Sequence, residues 1–161
     1  MAPKVVLWSV LAVVLAVVNL QIADKEKTLS AGETVLLRLA PVDPRSLLQG
    51  DYMALRYAIA GEVFGLASQQ PVGGRMVVTL DENRVAAYAR LDDNTGLASD
   101  EKLLVYRLRG ENLRIASDAY FFQEGTGETY ARAAYGELKV DNDGDAVLIG
   151  LRDAEFNRLG D

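Results

Sequence analysis

The sequence predicts a mainly β domain with one short helix, built as a small barrel or sandwich, that follows a single N-terminal transmembrane helix. The first observation is an apolar start, because residues 5–18, VVLWSVLAVVLAVV, contain one polar side chain, Ser9. The second is that apolar and polar residues alternate in short runs after residue 33, as they do in half-buried strands. The third is length, because 161 residues suffice for one domain with a core.

Residues 1–23 are predicted to form a membrane anchor. No charged residue occurs from Val5 to Ala23, and at about 1.5 Å per residue this run reaches about 28 Å, which just spans a bilayer core. The alternative is a cleaved signal peptide, which needs a short apolar run and small residues at positions −3 and −1. Gln21 stands two residues before Ala23, and the run is long, so we expect an uncleaved anchor that contacts membrane lipid through residues 5–23.

The basic residues on the two sides of this anchor only weakly indicate its orientation in the membrane. Lys4 and the terminal amine lie on one side of it, and Lys25 and Lys27 lie on the other, so the basic residues nearly balance. A short N-terminal tail before a folded domain favours a cytoplasmic N-terminus. Residues 24–33 would then be a juxtamembrane linker that includes a turn, and residues 34–161 a periplasmic or extracellular domain.

The first half of the domain is expected to contain strands and one hairpin. ETVLLRLAPV predicts a strand that ends before Pro41 and Pro44, because proline cannot donate to a sheet. YMALRYAIAGEV alternates again, with Tyr52, Ala54 and Arg56 opposite Met53, Leu55 and Tyr57. RMVVTLDENRVAAYARL predicts a hairpin that turns at residues 81–83.

The second half is expected to contain two more hairpins and the short helix. KLLVYRLRGENLRIA turns at residues 110–112, and AYFFQEG is a short apolar run. GETYARAAYGEL has helical spacing, since Tyr130, Ala133 and Ala134 share a face, and Thr126 is its candidate N-cap. ELKVDNDGDAVLIGLRD predicts the last hairpin.

Composition limits the chemistry. The chain has neither cysteine nor histidine, so no Cys–His or Ser–His–Asp site and no Cys/His zinc site can be assembled. We therefore expect no catalytic triad, no metal and no cofactor. Lys4 is the single charged residue before position 24, so residues 24–161 carry 16 basic and 23 acidic side chains, a formal charge of −7. That charge disfavours nucleic acid and disfavours docking of the domain face onto anionic lipid.

Two acidic patterns were weighed as sites. DNDGD, residues 141–145, has calcium-loop spacing, but Ala146 and Arg152 stand where an EF-hand needs Gly and Glu, so a hairpin turn is favoured. Glu124, Glu128 and Glu137 cluster along the chain, and a carboxylate-based hydrolase remains an alternative because its geometry is set in three dimensions. Tyr130 and Tyr135 lie beside these acids, and we keep Glu124, Tyr130, Tyr135 and Glu137 as secondary candidate residues.

The most distinctive motif is GDYMALRY, residues 50–57. Its fixed positions fit the pattern G-D-Y-x-x-L-x-Y, and they are Gly50, Asp51, Tyr52, Leu55 and Tyr57. The chain thus resembles the GDYXXLXY family over this motif and over YFFQEGTGETYARAAYGELKV and DGDAVLIGLRD. The resemblance implies a bacterial, membrane-anchored protein without an assigned reaction, encoded beside or fused to multi-pass membrane proteins.

LLQGDYM also resembles the strand entry of type I signal peptidases. Those enzymes place a serine upstream of the Gly-Asp and use a lysine as general base, whereas here Ser46 follows the prolines and no lysine lies between Lys27 and Lys102. Lys102 and Lys139 both stand beside acidic residues in settings that we expect to be solvated, which favours the charged ammonium. We therefore interpret Gly50 and Asp51 as a structural corner, and the motif's tyrosines as rings buried at its rim.

These observations favour a non-enzymatic accessory domain at the outer face of the inner membrane, working with a multi-pass membrane protein. A degenerate signal-peptidase-like protein or a carboxylate-based hydrolase is the alternative. A small-ligand-binding domain that uses the tyrosine-rich surface is a third hypothesis.

Overall fold

A computed structural model describes residues 2–40, 52–67, 73–110 and 112–160 of the chain. It confirms a mainly β domain preceded by one long apolar helix. The helices are α1 (Ala2–Ala31), α2 (Ala58–Ala67) and α3 (Gly127–Tyr130). The strands are β1 (Glu33–Arg38), β2 (Tyr52–Ala54), β3 (Gly73–Leu80), β4 (Ala86–Leu91), β5 (Glu101–Arg109), β6 (Asn112–Arg114), β7 (Ala119–Phe121), β8 (Tyr135–Val140) and β9 (Ala146–Arg152).

Helix α1 is long and apolar enough to cross a membrane. Every side chain from Lys4 to Lys27 is exposed, so the apolar run that ends at Ala23 is not covered by the β domain. Asn19, the polar residue near its middle, donates its side-chain amide to the carbonyl of Leu15 at 2.7 Å. That bond satisfies the amide within the helix, as the interior of a bilayer would require.

The helix continues through residues 24–31, where we expected a linker and a turn. Thr28 is buried, and its Oγ1 donates to Oδ2 of Asp141 at 2.8 Å. Lys25 Nζ lies 3.8 Å from Oδ1 of Asp145 in the same turn of the domain. The helix ends at Gly32, whose N–H donates to the carbonyl of Thr28. These contacts hold the last turns of α1 against the β8–β9 connection.

The strands form three antiparallel sheets. One sheet has the order β1-β8-β9, a second pairs β2 with β7, and the largest has the order β4-β3-β5-β6. The sheets join at their edges, because Leu36 bridges Val85 and Leu39 bridges Tyr57. The N–H of Val105 also donates to the carbonyl of Gly144, which ties β5 to the β8–β9 turn. The result is a half-barrel, in agreement with the small β fold expected.

Two apolar clusters fill the domain. The larger lies between β1, α2 and the sheet of β3 and β5, and its fully buried members include Leu37, Val63, Met76, Leu104 and Leu138. The smaller joins β2, α3 and the C-terminal segment through Met53, Leu55, Tyr130, Leu151 and Leu159. Removing side chains of this size from water is the main term that stabilises such a domain.

Helix α2 replaces the strand that we expected to continue through AIAGEV. Tyr57, Ile59 and Val63 are all buried and fit a strand period, while Ile59 and Val63, four residues apart, also share one face of a helix. Phe64 and Ala60 pack against the same cluster, which completes the i, i+3, i+4 pattern of a helix. The sequence signal was ambiguous over this stretch, and the packing of a helical face decides it.

The predicted hairpins are confirmed at β3–β4, β5–β6 and β8–β9. In the last of these, Oδ1 of Asp141 accepts the amides of Asp143 and Asp145, and Gly144 has a φ of 89°. The DNDGD segment is thus a hairpin turn flanked by strands, as expected. The predicted short helix is α3, but it ends at Tyr130. Thr126 occupies its N-cap position, although its hydroxyl donates to the carbonyl of Gln123 and does not cap the helix.

Candidate functional site

The GDYXXLXY motif lies at the start of β2 and in the chain that follows it. Gly50 and Asp51, the expected corner, lie outside the described residues, as does Ser46. Tyr52 is on the exposed side of β2, where its ring centroid lies 5.7 Å from that of Phe121 on β7. The expectation of a buried ring therefore does not hold for Tyr52.

Tyr57 is a core residue with one polar contact. Its hydroxyl donates to the carbonyl of Ser117 at 3.0 Å, and its ring packs against Gly136 of β8. Burial raises the pKa of the Tyr57 hydroxyl well above its usual range, and the charge of Asp118 adds to this shift. The hydroxyl is therefore protonated at neutral pH and acts as a hydrogen-bond donor.

Leu55 lies between the two tyrosines and joins the motif to the smaller cluster. Its side chain is buried with Met53, and its N–H donates to the carbonyl of Asp118 at 2.7 Å. The alternation predicted for this strand is observed, because Met53, Leu55 and Tyr57 are buried while Tyr52 and Arg56 are exposed. Leu55 and Tyr57 thus fasten the β2 segment to residues 117–118.

The motif also lines a cleft of about 560 Å³ between the β2 segment, α2 and β6. Its apolar wall includes Leu55, Ala60, Phe64 and Leu113. This volume lies within the range of about 300–1,000 Å³ that is usual for small-molecule sites. Leu55 and Tyr57 of the motif line this cleft, whereas Tyr52 is exposed outside it.

The polar groups of this cleft are few. Arg114 Nη1 lies 2.6 Å from Oδ2 of Asp118, and both side chains are partly exposed at its rim. Arg56 lines the cleft from the other side. An apolar wall with an arginine–carboxylate pair at its rim suits a ligand with an apolar body and one polar end. Neither Arg114 nor Asp118 was singled out from the sequence, because no local motif marks them.

Glu137, a secondary candidate, is buried on β8 between two arginines. Its Oε1 accepts from Arg152 Nη2 at 2.8 Å, and its Oε2 lies 3.7 Å from Arg158 Nε. Gly150, opposite Glu137 in the register of β8 and β9, leaves the space that Arg158 occupies. A buried carboxylate that contacts two arginines in this way suits a structural ion-pair cluster.

The other secondary candidates are separate from that cluster. Glu124 is exposed in the turn before α3. Tyr130 is buried, with its ring 4.9 Å from Phe122 and 5.3 Å from Tyr120. Tyr135 is buried beside Phe156 and lies under the guanidinium of Arg38. The structure therefore places these residues in packing positions or on the surface and does not gather them around one cavity.

Lys102, the lysine considered as a general base, is paired. Its side chain is 12% exposed, so the expectation of a solvated lysine is wrong, but its Nζ lies 2.9 Å from Oε1 of Glu33. The Lys102 ammonium is thus engaged with a carboxylate of β1. Lys102 and Arg84 together hold the pKa of the Glu33 carboxyl below its usual value, mainly through side-chain hydrogen bonds. Within the described ranges, no three His, Cys, Asp or Glu residues form a group that could hold a metal ion.

Comparison with known proteins matches the chain to a protein family. The family model described as GDYXXLXY protein matches residues 14–151, which is most of the chain. No curated protein and no solved structure matches it. The match starts within α1 and ends within β9, so it covers the latter half of the apolar helix as well as the β domain.

Proposed function

Because the chain belongs to the GDYXXLXY family, we propose that it is a membrane-anchored, non-enzymatic accessory domain at the outer face of a bacterial inner membrane. Its partner in this proposal is a multi-pass membrane protein. The domain would be held next to that protein by α1 and would contact it outside the bilayer.

The observation that carries this proposal is the continuity of α1. The exposed apolar part of the helix runs without a break into turns that are fixed to the domain by Thr28 and Lys25. A cleaved signal peptide would have no reason to extend into the packed domain. An anchor of this form sets both the height and the orientation of the domain above the bilayer, which suits a protein that meets a neighbour in the same membrane.

The exposed aromatic pair of Tyr52 and Phe121 is the proposed contact surface. Phe121 is 74% exposed, although aromatic side chains of this size usually contribute to cores or interfaces. The two rings lie on the two-stranded sheet of β2 and β7 and include one residue of the motif. Burial of these rings against a partner would remove apolar area from water on both sides.

The test is purification of the full-length chain from native membranes in mild detergent, with identification of co-purifying proteins by mass spectrometry. We expect a multi-pass protein to be recovered, and we expect the double variant Tyr52→Ser, Phe121→Ser to lose it while keeping its melting temperature. Leu97→Ser, which changes an exposed leucine in a loop, is the matched control and should retain the partner. Recovery of the same partner with the aromatic double variant would overturn the proposed surface, and release of the wild type by carbonate would overturn the anchor.

The 560 Å³ cleft supports a second candidate function, the binding of a small ligand. Its apolar wall and its Arg114–Asp118 rim would suit an amphiphile with a single polar end. Titration of decanoate against the full-length chain in non-ionic detergent, followed by calorimetry, tests this class of ligand. Phe64→Ser should weaken the binding of decanoate. If the heat of binding were the same for this variant and the wild type, a site in the cleft would be contradicted.

A further inference from the structure

A second cavity, of about 420 Å³, lies where the end of α1 meets β5, β6 and the β8–β9 turn. Its charged lining consists of Lys25, Arg107, Arg109, Arg114, Asp118 and Asp145. Four cations and two carboxylates give this cavity a formal charge of +2, whereas the whole chain has a formal charge of −6. The cavity is thus a local positive site on an acidic protein.

Two of these arginines face each other across a strand pair. Arg107 of β5 is the register partner of Arg114 of β6, and Arg109 lies two residues farther along β5, on the same side. Like charges directly opposite each other in an antiparallel pair destabilise the sheet. The β5–β6 pair thus concentrates positive charge at this place although the pairing itself is unfavourable.

The carboxylates of the cavity neutralise only part of this charge. Arg114 pairs with Asp118 at 2.6 Å, and Lys25 lies 3.8 Å from Asp145. Among the residues that the structure describes, Arg107 and Arg109 form no ion pair with a carboxylate. Within the described ranges, these two guanidinium groups are thus left without a carboxylate and can accept an anionic ligand.

The position of Lys25 indicates where the cavity lies relative to the bilayer. Lys25 follows Ala23, the last residue of the uncharged run, by two residues, which is about 3 Å along a helix. The headgroup layer on each side of a bilayer is about 5–7 Å thick. If α1 spans the membrane, Lys25 lies at the level of lipid headgroups, and so does the side of the cavity that it lines.

We infer that this cavity binds the phosphate of an anionic phospholipid headgroup in the leaflet next to the β domain. The inference rests on the membrane anchor of the proposed function. Arginine suits this ligand because its planar guanidinium donates two parallel hydrogen bonds to phosphate oxygens. The acidic remainder of the domain repels an anionic surface, so the site takes one headgroup and does not draw the whole face onto the bilayer. Inorganic phosphate shares the recognised chemistry, and the test separates the two sources.

The experiment compares the full-length chain in nanodiscs of phosphatidylcholine with and without phosphatidylglycerol. The readouts are the melting temperature and the lipid that stays bound in native mass spectrometry. We expect phosphatidylglycerol to raise the melting temperature of the wild type and to be retained preferentially. Arg107→Gln should weaken this retention by about tenfold or more, since it removes a charge-assisted contact.

Two comparisons separate binding from a structural role of the arginine. In phosphatidylcholine alone, Arg107→Gln should be at least as stable as the wild type, because the cross-strand repulsion with Arg114 is gone. Arg132→Gln makes the same charge change at an exposed position outside the cavity and should keep the response to phosphatidylglycerol. An equal loss of response in both variants would overturn the site.

Two further experiments show whether the bound phosphate comes from lipid and whether the anchor or the headgroup site is wrong. Inorganic phosphate is added to the chain in non-ionic detergent, and stabilisation there without any effect of phosphatidylglycerol in nanodiscs would overturn the lipid source. Carbonate extraction of native membranes tests the anchor separately. A chain that resists extraction but shows no preference for phosphatidylglycerol would overturn the headgroup site and leave the proposed function intact.

Discussion

Thr28, near the end of α1, donates a hydrogen bond from Oγ1 to Oδ2 of Asp141 in the β8–β9 turn, at 2.8 Å and across 113 residues of sequence. Thr28 is buried, and the same aspartate accepts the amides of Asp143 and Asp145 through its other oxygen. One carboxylate therefore organises the turn and fixes the helix to it.

Thr28→Val is expected to loosen this junction. The change keeps the shape of the side chain but removes a hydrogen bond to a charged acceptor, which should cost about 1.5–3 kcal/mol of local stability. Hydrogen exchange in detergent should show faster exchange of the amides of residues 28–31. Ser30→Ala, at an exposed position of the same turn, is the control and should leave exchange unchanged. Equal exchange in wild type and Thr28→Val would contradict a fixed junction.

Tyr57→Phe should reduce the stability of the domain by about 1 kcal/mol. The substitution leaves the carbonyl of Ser117 without its donor while keeping the buried ring. Tyr52→Phe, on an exposed ring, should change stability by less than about 0.5 kcal/mol. Urea unfolding followed by circular dichroism measures both values. If Tyr57→Phe were neutral to folding yet abolished function in cells, a binding role for the hydroxyl would replace the packing role.

The stability of the domain should fall at alkaline pH. The pKa of Tyr57 is raised by burial in the folded protein, so the unfolded chain loses this proton first, near pH 10. The contribution is fully present below pH 10 and is lost as pH rises towards the folded-state pKa, at about 1.4 kcal/mol per pH unit. Burial also raises the pKa of Tyr106, which adds to the slope. The free energy of unfolding of Tyr57→Phe should therefore fall less steeply with pH above pH 10 than that of the wild type, and the two should change in parallel below pH 9. Identical slopes above pH 10 would refute this linkage.

Glycine substitutions should have opposite effects at two positions. A Cβ on Gly136 would lie 3.0 Å from the Tyr57 ring and 3.4 Å from Leu148, so Gly136→Ala should destabilise the domain by about 1–3 kcal/mol. A Cβ on Gly61, inside α2, meets nothing within 4 Å, so Gly61→Ala should stabilise the domain by about 0.5–1 kcal/mol. Thermal unfolding of the two variants shows whether each substitution lowers or raises the stability of the domain. A destabilising Gly61→Ala would argue against the helix that replaced the expected strand.

Glu137→Ala should destabilise the domain by about 3 kcal/mol, because it leaves Arg152 and Arg158 without their buried carboxylate. Glu137→Gln should cost less, since an acceptor oxygen remains. Glu124→Ala, at an exposed acid, is the control and should fall within about 0.5 kcal/mol of the wild type. Chemical denaturation gives these values. A stable Glu137→Gln variant that has lost its function in cells would instead favour the carboxylate-hydrolase alternative.

The hairpins were predictable because their signals are local. At residues 81–83, the turn chemistry and the flanking alternation lie within one stretch, and Oδ1 of Asp81 accepts the amides of Asn83 and Val85. Helix α2 was not predicted, since Tyr57, Ile59 and Val63 fit the strand alternation, and the packing of Ala60 and Phe64 against the same cluster reveals the helical face. The continuation of α1 was missed because the charged residues after Ala23 indicated an exit from the membrane followed by a turn, while a contact that holds the helix end comes from the distant Asp141.

In the candidate sites, too, the features set by neighbouring residues were predictable and those formed by distant segments were not. The family motif was visible in the sequence, and so was the alternation of its residues, but Tyr52 was expected to be buried and is exposed. The cleft and the basic cavity were not, because each is formed by segments that are far apart in the chain. Ser117 is 60 residues from Tyr57, and Lys25 is separated from Arg107 by several strands.

Because α1 is continuous, it also fixes the rotation of the β domain about the helix axis. Each residue between the apolar run and Thr28 turns the helix by about 100° and advances it by about 1.5 Å, so in the proposed anchor the number of residues there sets the direction in which the domain faces around the helix axis. One added residue would rotate the aromatic pair of Tyr52 and Phe121 well away from the proposed partner, whereas four would bring it back to within about 40°. The spacing between Ala23 and Thr28 thus works as an angular setting for the whole domain.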